Sequence, residues 1–274
     1  MAEWKRTKDI ERIMSDDLIL LERDGAIATV IINNPAKRNA LSLGAWDALC
    51  DVLETLQSDD DVRCVILRGA GDKAFAAGAD IKEFPAKRSN ADQAYAYGES
   101  TARALDLLRN LKHPTIAMIR GACTGGGLEI AACCDMRIAS DDSKFGVPIN
   151  RIGHAFAPPE LRPVLELVGK AVVLELLLEG QIIDADTAYQ KGLLSRVVPA
   201  ADLEANVAKT ASNIAKGAPL GARMTKRFVN RICADQSPFT EQELIESYAP
   251  CDSDDYTEGY TAFMDKRSPE FKGK

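Results

Sequence analysis

Five apolar segments rich in β-branched residues constrain the fold of this chain more than any other feature of its sequence. Each ends in turn-forming residues, and helical patterns separate most of them. The segments are Ala28–Pro35, Cys64–Asp72, Thr115–Cys123, Met136–Ser143 and Leu193–Asp202. Because their spacing is irregular, they predict strand-then-helix units of the α/β class and argue against a solenoid of fixed period.

The pattern changes at about Gly169, after which most segments have helical character. Asp202 can cap a helix start, and Gly217 followed by Pro219 favours a helix stop. The predicted helices are Lys170–Leu178, Asp184–Gln190, Asp202–Lys216, Gly221–Ile232, Glu241–Tyr248 and Asp254–Lys266. We therefore predict an N-terminal extension over residues 1–16, a core over 17–200 and a helical region over 201–274, with no low-complexity linker between them.

Composition excludes several classes of protein. With 274 residues, 46% of them hydrophobic, the chain can enclose a substantial core. Its 41 acidic residues exceed its 34 basic ones, and its basic clusters are short, which argues against a nucleic-acid partner. The segment Met1–Asp16 is charged, and no apolar run approaches membrane-spanning length. We therefore expect a cytoplasmic protein without a membrane partner.

The seven cysteines are odd in number, contain no CxxC pair and are accompanied by only two histidines. This pattern favours small buried thiols in a reducing compartment over a disulfide framework. It also argues against a metal site, and we predict none.

A run of three glycines precedes a carboxylate in an apolar helix. The segment Thr124–Gly127 can turn tightly and expose backbone N–H groups, and the helix that follows, Leu128–Cys134, places Glu129 in its first turn. A charge–dipole interaction there is worth only about 0.3–1 kcal/mol. Burying an unpaired carboxylate costs several times more. We therefore predict that Glu129 has a chemical function.

A second loop of small residues, Lys73–Glu83, follows the predicted strand Cys64–Leu67. Backbone there can approach a ligand closely. By itself the loop favours an ordinary turn that enters a helix, and only the pair of loops together indicates a ligand site.

Four segments in this order resemble the crotonase superfamily, also called the enoyl-CoA hydratase/isomerase family, over residues 17–274. They are Asn34-Pro35 with Asn39-Ala40-Leu41, AFAAGADIKEF at 74–84, GACTGGGLEIAACCD at 121–135 and AFMDKRSPEF at 262–271. The resemblance implies the ClpP/crotonase-like fold of repeated ββα units. It also implies that the C-terminal helical region assembles a homotrimer or a dimer of trimers.

The same resemblance implies an acyl-CoA thioester as the substrate, so that CoA enters with the substrate and no separate cofactor is needed. The main-chain N–H groups of Ala79 and Gly126 would form an oxyanion hole around the thioester oxygen, with Glu129 as general acid or base. Loss of one oxyanion donor commonly costs about 2.7–4 kcal/mol.

The residues that the resemblance places along CoA lie in the second loop and near the C-terminus. They are Lys37, Ala77, Ala79, Asp80, Ile81, Lys82, Phe263 and Lys266. In many relatives the counterparts of Phe263 and Lys266 reach CoA from an adjacent subunit. The alternatives are helix packing for Phe263 and solvated charges for Lys82 and Lys266.

The sequence departs from the family where hydratases carry a second glutamate, because Ile149 occupies that place. A replacement acid or base could come from the next loop, where His154 and Glu160 are candidates. The alternatives are a loop hydrogen bond for His154 and a first-turn helix acid after Pro159 for Glu160. His113, beside Pro114, is predicted to be structural.

Water addition to a 2-enoyl-CoA is the predicted reaction, with Glu129 as acid or base. Loss of the second glutamate leaves isomerisation, decarboxylation and thioester hydrolysis open on the same scaffold. A noncatalytic CoA binder is disfavoured by the retained Glu129, and an RNA binder by the acidic balance.

Overall fold

The computed structural model describes residues 11–16 and 18–274. Residues 1–10 and 17, most of the predicted extension and its boundary, lie outside the described residues. The strands are β1 (Glu11–Asp16), β2 (Ile19–Asp24), β3 (Ile27–Ile32), β4 (Cys64–Gly69), β5 (Ala74–Ala76), β6 (Thr115–Ile119), β7 (Ala122–Thr124), β8 (Met136–Ser140), β9 (Lys144–Gly146), β10 (Ile183–Asp184) and β11 (Arg196–Val198).

Among the described residues, ten α-helices accompany these strands. They are α1 (Leu43–Ser58), α2 (Phe84–Lys87), α3 (Ala91–Arg109), α4 (Gly126–Cys133), α5 (Pro158–Glu179), α6 (Ala185–Gln190), α7 (Leu203–Ala215), α8 (Pro219–Ala234), α9 (Glu241–Ser247) and α10 (Asp254–Met264). Gly169 interrupts α5 with a φ of 75°. The predicted helix over Lys170–Leu178 is therefore only the second half of a longer element.

The strands form two sheets. The larger has the order β1-β2-β3-β4-β6-β8-β11, antiparallel from β1 to β3 and parallel from β3 onward. The smaller has the order β10-β9-β7-β5, in which β5, β7 and β9 are parallel. The pairs β4–β5, β6–β7 and β8–β9 each place one strand in each sheet before a helix follows. This arrangement is the predicted repeat of ββα units.

None of the four strands of the smaller sheet was predicted as a separate strand, because β5, β7 and β9 have only three residues each and β10 has two. Periodicity cannot be recognised over so short a length. The predicted segment Thr115–Cys123 spans two strands, β6 and β7, which are separated by a turn at Gly121, where φ is 67°. Strand β1 pairs with β2, so residues 11–16 of the predicted extension continue the larger sheet.

Both faces of the larger sheet are covered. One face contributes to a core that includes Trp46, Leu49 and Leu53 of α1. On the other face, Ile66 and Ile138 pack with Leu203 and Val207 of α7. Burial on both faces explains why the parallel strands appear in the sequence as continuous apolar runs.

Five of the seven cysteines are buried and free, as predicted. The prediction is wrong for Cys233 and Cys251, which are exposed. They lie in the C-terminal helical region, where α8 presents a broad outer surface. Among the described residues, no helix is both long and apolar enough to cross a bilayer.

Candidate active site

Two glycine-containing bends meet at one edge of the smaller sheet. Strands β5 and β7 are parallel neighbours, so the bends that follow them, at Gly78 and Gly125, emerge side by side. A Cβ atom added to Gly78 would lie 3.1 Å from the Thr124 carbonyl oxygen and 3.6 Å from the Gly126 nitrogen. The two small-residue loops found in the sequence therefore contact each other directly.

Each glycine of the 125–127 run has its own structural reason. Gly125 adopts a φ of 51°, which favours glycine. A Cβ atom on Gly126 would lie 2.9 Å from Cζ2 of Trp46, and one on Gly127 would overlap the carbonyl oxygen of Ala76. The run thus lets α4 begin at the bend and lie close against both Trp46 and β5.

The main-chain N–H groups of Ala79 and Gly126 are unused within the described part of the chain. The peptide groups beside Ala79 are occupied, because Leu41 donates to the Gly78 carbonyl and Asp80 donates to the Leu41 carbonyl, each at 2.8 Å. Gly126 is the first residue of α4 and has no intrahelical acceptor. Two donors on contacting bends remain available to an oxygen atom.

A cavity of about 290 Å³ opens beside these bends. Ala79, Gly126 and Glu129 all line it. Much of the remaining wall is apolar or aromatic, formed by Trp46, Ile81, Phe84, Tyr97, Ile149 and Phe156. The site therefore combines an apolar enclosure with a few polar groups, as small-molecule sites usually do.

Glu129 is 4% exposed. Burial raises the pKa of its carboxyl well above the ordinary value, and the negative charge of Glu160 raises that pKa further. The Arg88 guanidinium acts in the opposite direction. A carboxyl group with a raised pKa in a cavity is suited to proton transfer near neutral pH.

Glu160 lines the same cavity and is 7% exposed. It lies in the first turn of α5, and its Oε2 accepts a hydrogen bond from the Ala157 N–H at 3.1 Å. The expectation of a first-turn helix acid is therefore correct. The same side chain also reaches the cavity that contains Glu129.

His154 lines the cavity with its Nε2 2.6 Å from an Arg88 guanidinium nitrogen. A guanidinium can only donate, so Nε2 is the acceptor and the imidazole is neutral in this contact. Burial and the Arg88 charge lower the pKa of His154, and Glu160 partly opposes them. His113 lies elsewhere, with Nε2 2.9 Å from the Leu56 carbonyl oxygen in the core.

Arg88 is the main residue of this cavity that sequence analysis missed. Its guanidinium lies 4.7 Å from the ring centre of Phe84 and 4.8 Å from that of Tyr97. It belongs to no recognisable motif, and nothing in its local sequence distinguishes it from a solvated surface arginine. Only the packing of α2 and α3 brings it to Glu129.

The residues predicted to contact CoA divide into three groups. Ala77, Ala79 and Ile81 line the cavity. Outside it, Lys37 forms an ion pair with Asp80 at 2.5 Å, and Asp80 also accepts a hydrogen bond from the Lys82 N–H. Phe263 lies at the end of α10 and is 85% exposed, and Lys266 lies just beyond α10. Neither residue lines this cavity. Their predicted contacts involve an adjacent subunit, so they stay predictions.

Comparison with known proteins gives one consistent result. The sequence profile described as enoyl-CoA hydratase/isomerase matches residues 22–274. The probable enoyl-CoA hydratase of Mycobacterium bovis is 37% identical over 94% of this chain and 99% of its own length. The short-chain-enoyl-CoA hydratase of Clostridium acetobutylicum is 34% identical over 93% and 98%. A crystal structure of an enoyl-CoA hydratase/carnitine racemase from Magnetospirillum magneticum superposes with a TM-score of 0.93 at 50% identity, covering 95% of this chain and 97% of that one.

Proposed function

The chain belongs to the enoyl-CoA hydratase/isomerase family, and on this premise we propose that it adds water across the double bond of a 2-enoyl-CoA thioester. The acyl-CoA is the substrate, and the CoA portion arrives with it. The observation that carries the proposal is the buried Glu129, which shares a cavity with the two unused main-chain donors of Ala79 and Gly126.

The two donors would bind the thioester oxygen. Addition of water at C3 moves electron density through C2 toward that oxygen, so the intermediate resembles an enolate. Donors fixed in position before the reaction stabilise this charge without reorganisation, and each is commonly worth about 2.7–4 kcal/mol. Glycine at 126 and alanine at 79 leave the N–H groups accessible because neither carries a long side chain.

Glu129 would act as general acid or base at the reacting carbons. Its raised pKa favours the protonated form, so the carboxyl group can hold a proton for delivery to a reacting carbon. Hydration needs one proton removed from water and another delivered to C2. Since Ile149 has no ionisable group, His154 or Glu160 would have to assist Glu129.

Ile149 also supports a second candidate function. A single carboxylate is sufficient to move a double bond, and the same oxyanion hole would serve decarboxylation or thioester hydrolysis. Product masses separate these reactions: hydration adds one water, decarboxylation removes carbon dioxide, and hydrolysis releases free CoA. Isomerisation leaves the mass unchanged and is detected by chromatography. A panel of enoyl-, 3-hydroxyacyl- and malonyl-type thioesters therefore decides among them, and binding without any product would favour a noncatalytic protein.

Glu129→Gln tests the role of the carboxyl group. We expect hydration of crotonyl-CoA to slow by roughly 10²–10⁴-fold, because the side-chain amide of glutamine cannot give up or accept a proton as the carboxyl group does. Binding of a saturated acyl-CoA should remain close to the wild-type value. Glu241→Gln, on the exposed surface of α9, is the control and should leave both measurements unchanged. Wild-type turnover in Glu129→Gln would remove this residue from the mechanism.

We also propose that the active enzyme is a homotrimer or a dimer of trimers. Phe263 and Lys266 would then contact the CoA bound to a neighbouring subunit, which accounts for the high exposure of Phe263 in one chain. Lys37, Asp80 and Lys82 would lie along the CoA path outside the acyl cavity. A cytoplasmic location stays a prediction.

A further inference from the structure

Two carboxyl groups from different helices occupy one cavity. Glu129 comes from the first turn of α4 and Glu160 from the first turn of α5, and these helices pack against each other. Both side chains are almost completely buried. Two ionised carboxylates held close together in a poorly solvated site repel each other strongly, so such pairs commonly retain one proton between them.

The other polar groups of the cavity are less suited to accept a proton. Tyr97 has its pKa raised to about 12 by burial, so its phenol remains protonated. Arg88 and Arg151 are permanent cations. His154 already uses Nε2 to accept from Arg88, and the neighbouring positive charge disfavours a second one on its ring. Glu160 is therefore the group in the cavity best able to act as a base beside Glu129.

We propose that Glu160 is the second catalytic carboxylate of this enzyme, removing a proton from the attacking water while Glu129 delivers a proton to C2. This inference rests on the proposed hydratase function. Glu160, from the adjoining helix α5, would supply the carboxyl group that Ile149 lacks.

The proton and electron balance closes with these two groups. Glu160 takes a proton from water as the water oxygen bonds to C3. The π electrons of the C2–C3 bond move toward C2 and the thioester oxygen, where the N–H groups of Ala79 and Gly126 bind the charge. Glu129 then gives its proton to C2. Return of one proton from Glu160 to Glu129 restores the starting state, with no other reactant consumed.

The surroundings favour the proton on Glu129. Burial raises the pKa of the Glu129 carboxyl, and the negative charge of Glu160 raises it further. The Ala157 N–H donates to Oε2 of Glu160 and holds that side chain in the first turn of α5. The positive charge of Arg88 stabilises the negative charge that remains in the cavity. It lowers the pKa of both Glu129 and His154.

Glu160→Gln is the central test. Glutamine keeps an oxygen that can accept from the Ala157 N–H, so the start of α5 is preserved while the base is lost. We expect hydration of crotonyl-CoA to fall by roughly 10²–10⁴-fold. Glu160→Asp, which retains a carboxylate on a shorter side chain, should recover part of the loss. Glu175→Gln, at an exposed position of the same helix, is the control and should keep the wild-type rate, while His154→Ala tests the competing assignment of the base to His154. Wild-type hydration by Glu160→Gln, or a large loss only in His154→Ala, would overturn the proposal.

The pH profile separates a catalytic role from a structural one. In wild type, kcat/KM should fall at high pH as Glu129 loses its proton. Because the Glu160 charge raises the pKa of Glu129, Glu160→Gln should move this basic limb to lower pH, whereas a merely structural role would leave the limb in place. The ionisable groups that face Glu129 across the cavity are Arg88, Tyr97, Arg151, His154 and Glu160, and Cys133 lies on its own helix. A basic limb that stays at the wild-type pH in Glu160→Gln would contradict the assignment.

A titration without turnover distinguishes failure of this inference from failure of the hydratase proposal. The Glu129 carboxyl can be followed by infrared difference spectroscopy, with Glu129→Gln identifying its band. Replacing Glu160 with glutamine removes a negative charge, so the Glu129 midpoint should move to lower pH. An unchanged midpoint means that the two groups do not interact, and the inference fails. If the midpoint moves but wild type hydrates no enoyl-CoA, the hydratase function and the assigned roles fail while the carboxyl pair stands.

Discussion

At the scale of single residues, the pKa values of the ionisable groups in the cavity depend on burial and on the charges of neighbouring side chains. Glu129 and His154 have pKa shifts in opposite directions, upward for the acid and downward for the imidazole. Burial favours the neutral form of both groups. Arg88 adds to the downward shift of His154 and opposes the upward shift of Glu129, so this one guanidinium influences both ends of the cavity.

Arg88→Met should therefore raise the pKa of His154 toward the ordinary histidine value, because the repelling cation is gone while burial remains. The chain contains only two histidines, which makes the measurement simple by NMR of the imidazole nitrogens. His113 is the internal control: burial lowers its pKa to about 4, and its neighbours do not include Arg88. An unchanged His154 midpoint would mean that the Arg88 contact has no electrostatic consequence.

At the scale of elements, the site depends on how closely α4 approaches β5. Gly127 lies where any Cβ atom would meet the backbone of Ala76, so the helix can take this position only with glycine. Asn39 fixes the neighbouring loop. Its fully buried amide donates to the Ala70 and Ala74 carbonyls, at 3.0 and 2.7 Å, and its oxygen accepts from the Asn34 N–H. These contacts hold the chain just before the bend that carries Ala79.

Gly127→Ala should destabilise the fold by about 1–3 kcal/mol, as is typical of overpacking, and should also reduce turnover by displacing Gly126. Gly98→Ala is the matched control, since Gly98 is also helical and a Cβ atom there would meet nothing within 4 Å. That substitution should stabilise α3 by about 0.5–1 kcal/mol. Urea unfolding and hydration rates measure both effects. Equal stability of the two variants would contradict the close approach of α4.

At the scale of the whole molecule, the C-terminal helices expose a set of large apolar side chains. Large apolar side chains with exposures between 51% and 85% lie along or beside α8, α9 and α10: Val229, Ile232, Leu244, Ile245, Tyr248, Tyr256, Phe263 and Met264. Surfaces of this kind are typical of interfaces between protein chains. They are consistent with the proposed assembly of three or six chains.

Ile245→Lys should weaken that assembly, because a lysine at a buried interface position loses apolar contact and its charge loses solvation. Analytical ultracentrifugation of wild type should give three or six times the mass of one chain, and the variant should shift toward lower mass. Tyr95→Lys, at an exposed aromatic position on α3 outside the C-terminal helices, is the control and should keep the wild-type mass. A wild-type protein that sediments as one chain would rule out the trimer.

The sequence patterns were sufficient for the α/β class and the C-terminal helices, and they singled out Glu129, which lies buried in the cavity. The ββα repeat came from the family resemblance. Long apolar segments and a glycine run before a carboxylate are local patterns, which can be recognised in the sequence without knowledge of the fold. The resemblance added Ala79 and Gly126, and the structure brings their bends into contact. The sequence patterns could not reveal the strands β5, β7 and β9, because three residues each are too few to show a period.

Only the tertiary structure brought Arg88, His154, Glu129 and Glu160 into one cavity. These residues come from the end of α2, a loop, α4 and α5, and are separated by up to 72 positions in the chain. Charges this distant in sequence influence one another only when packing excludes water between them, because solvent would otherwise screen their interaction. Residue types and spacing therefore drew attention to Glu129, and the packing of α4 against α5 placed Glu160 in the same cavity.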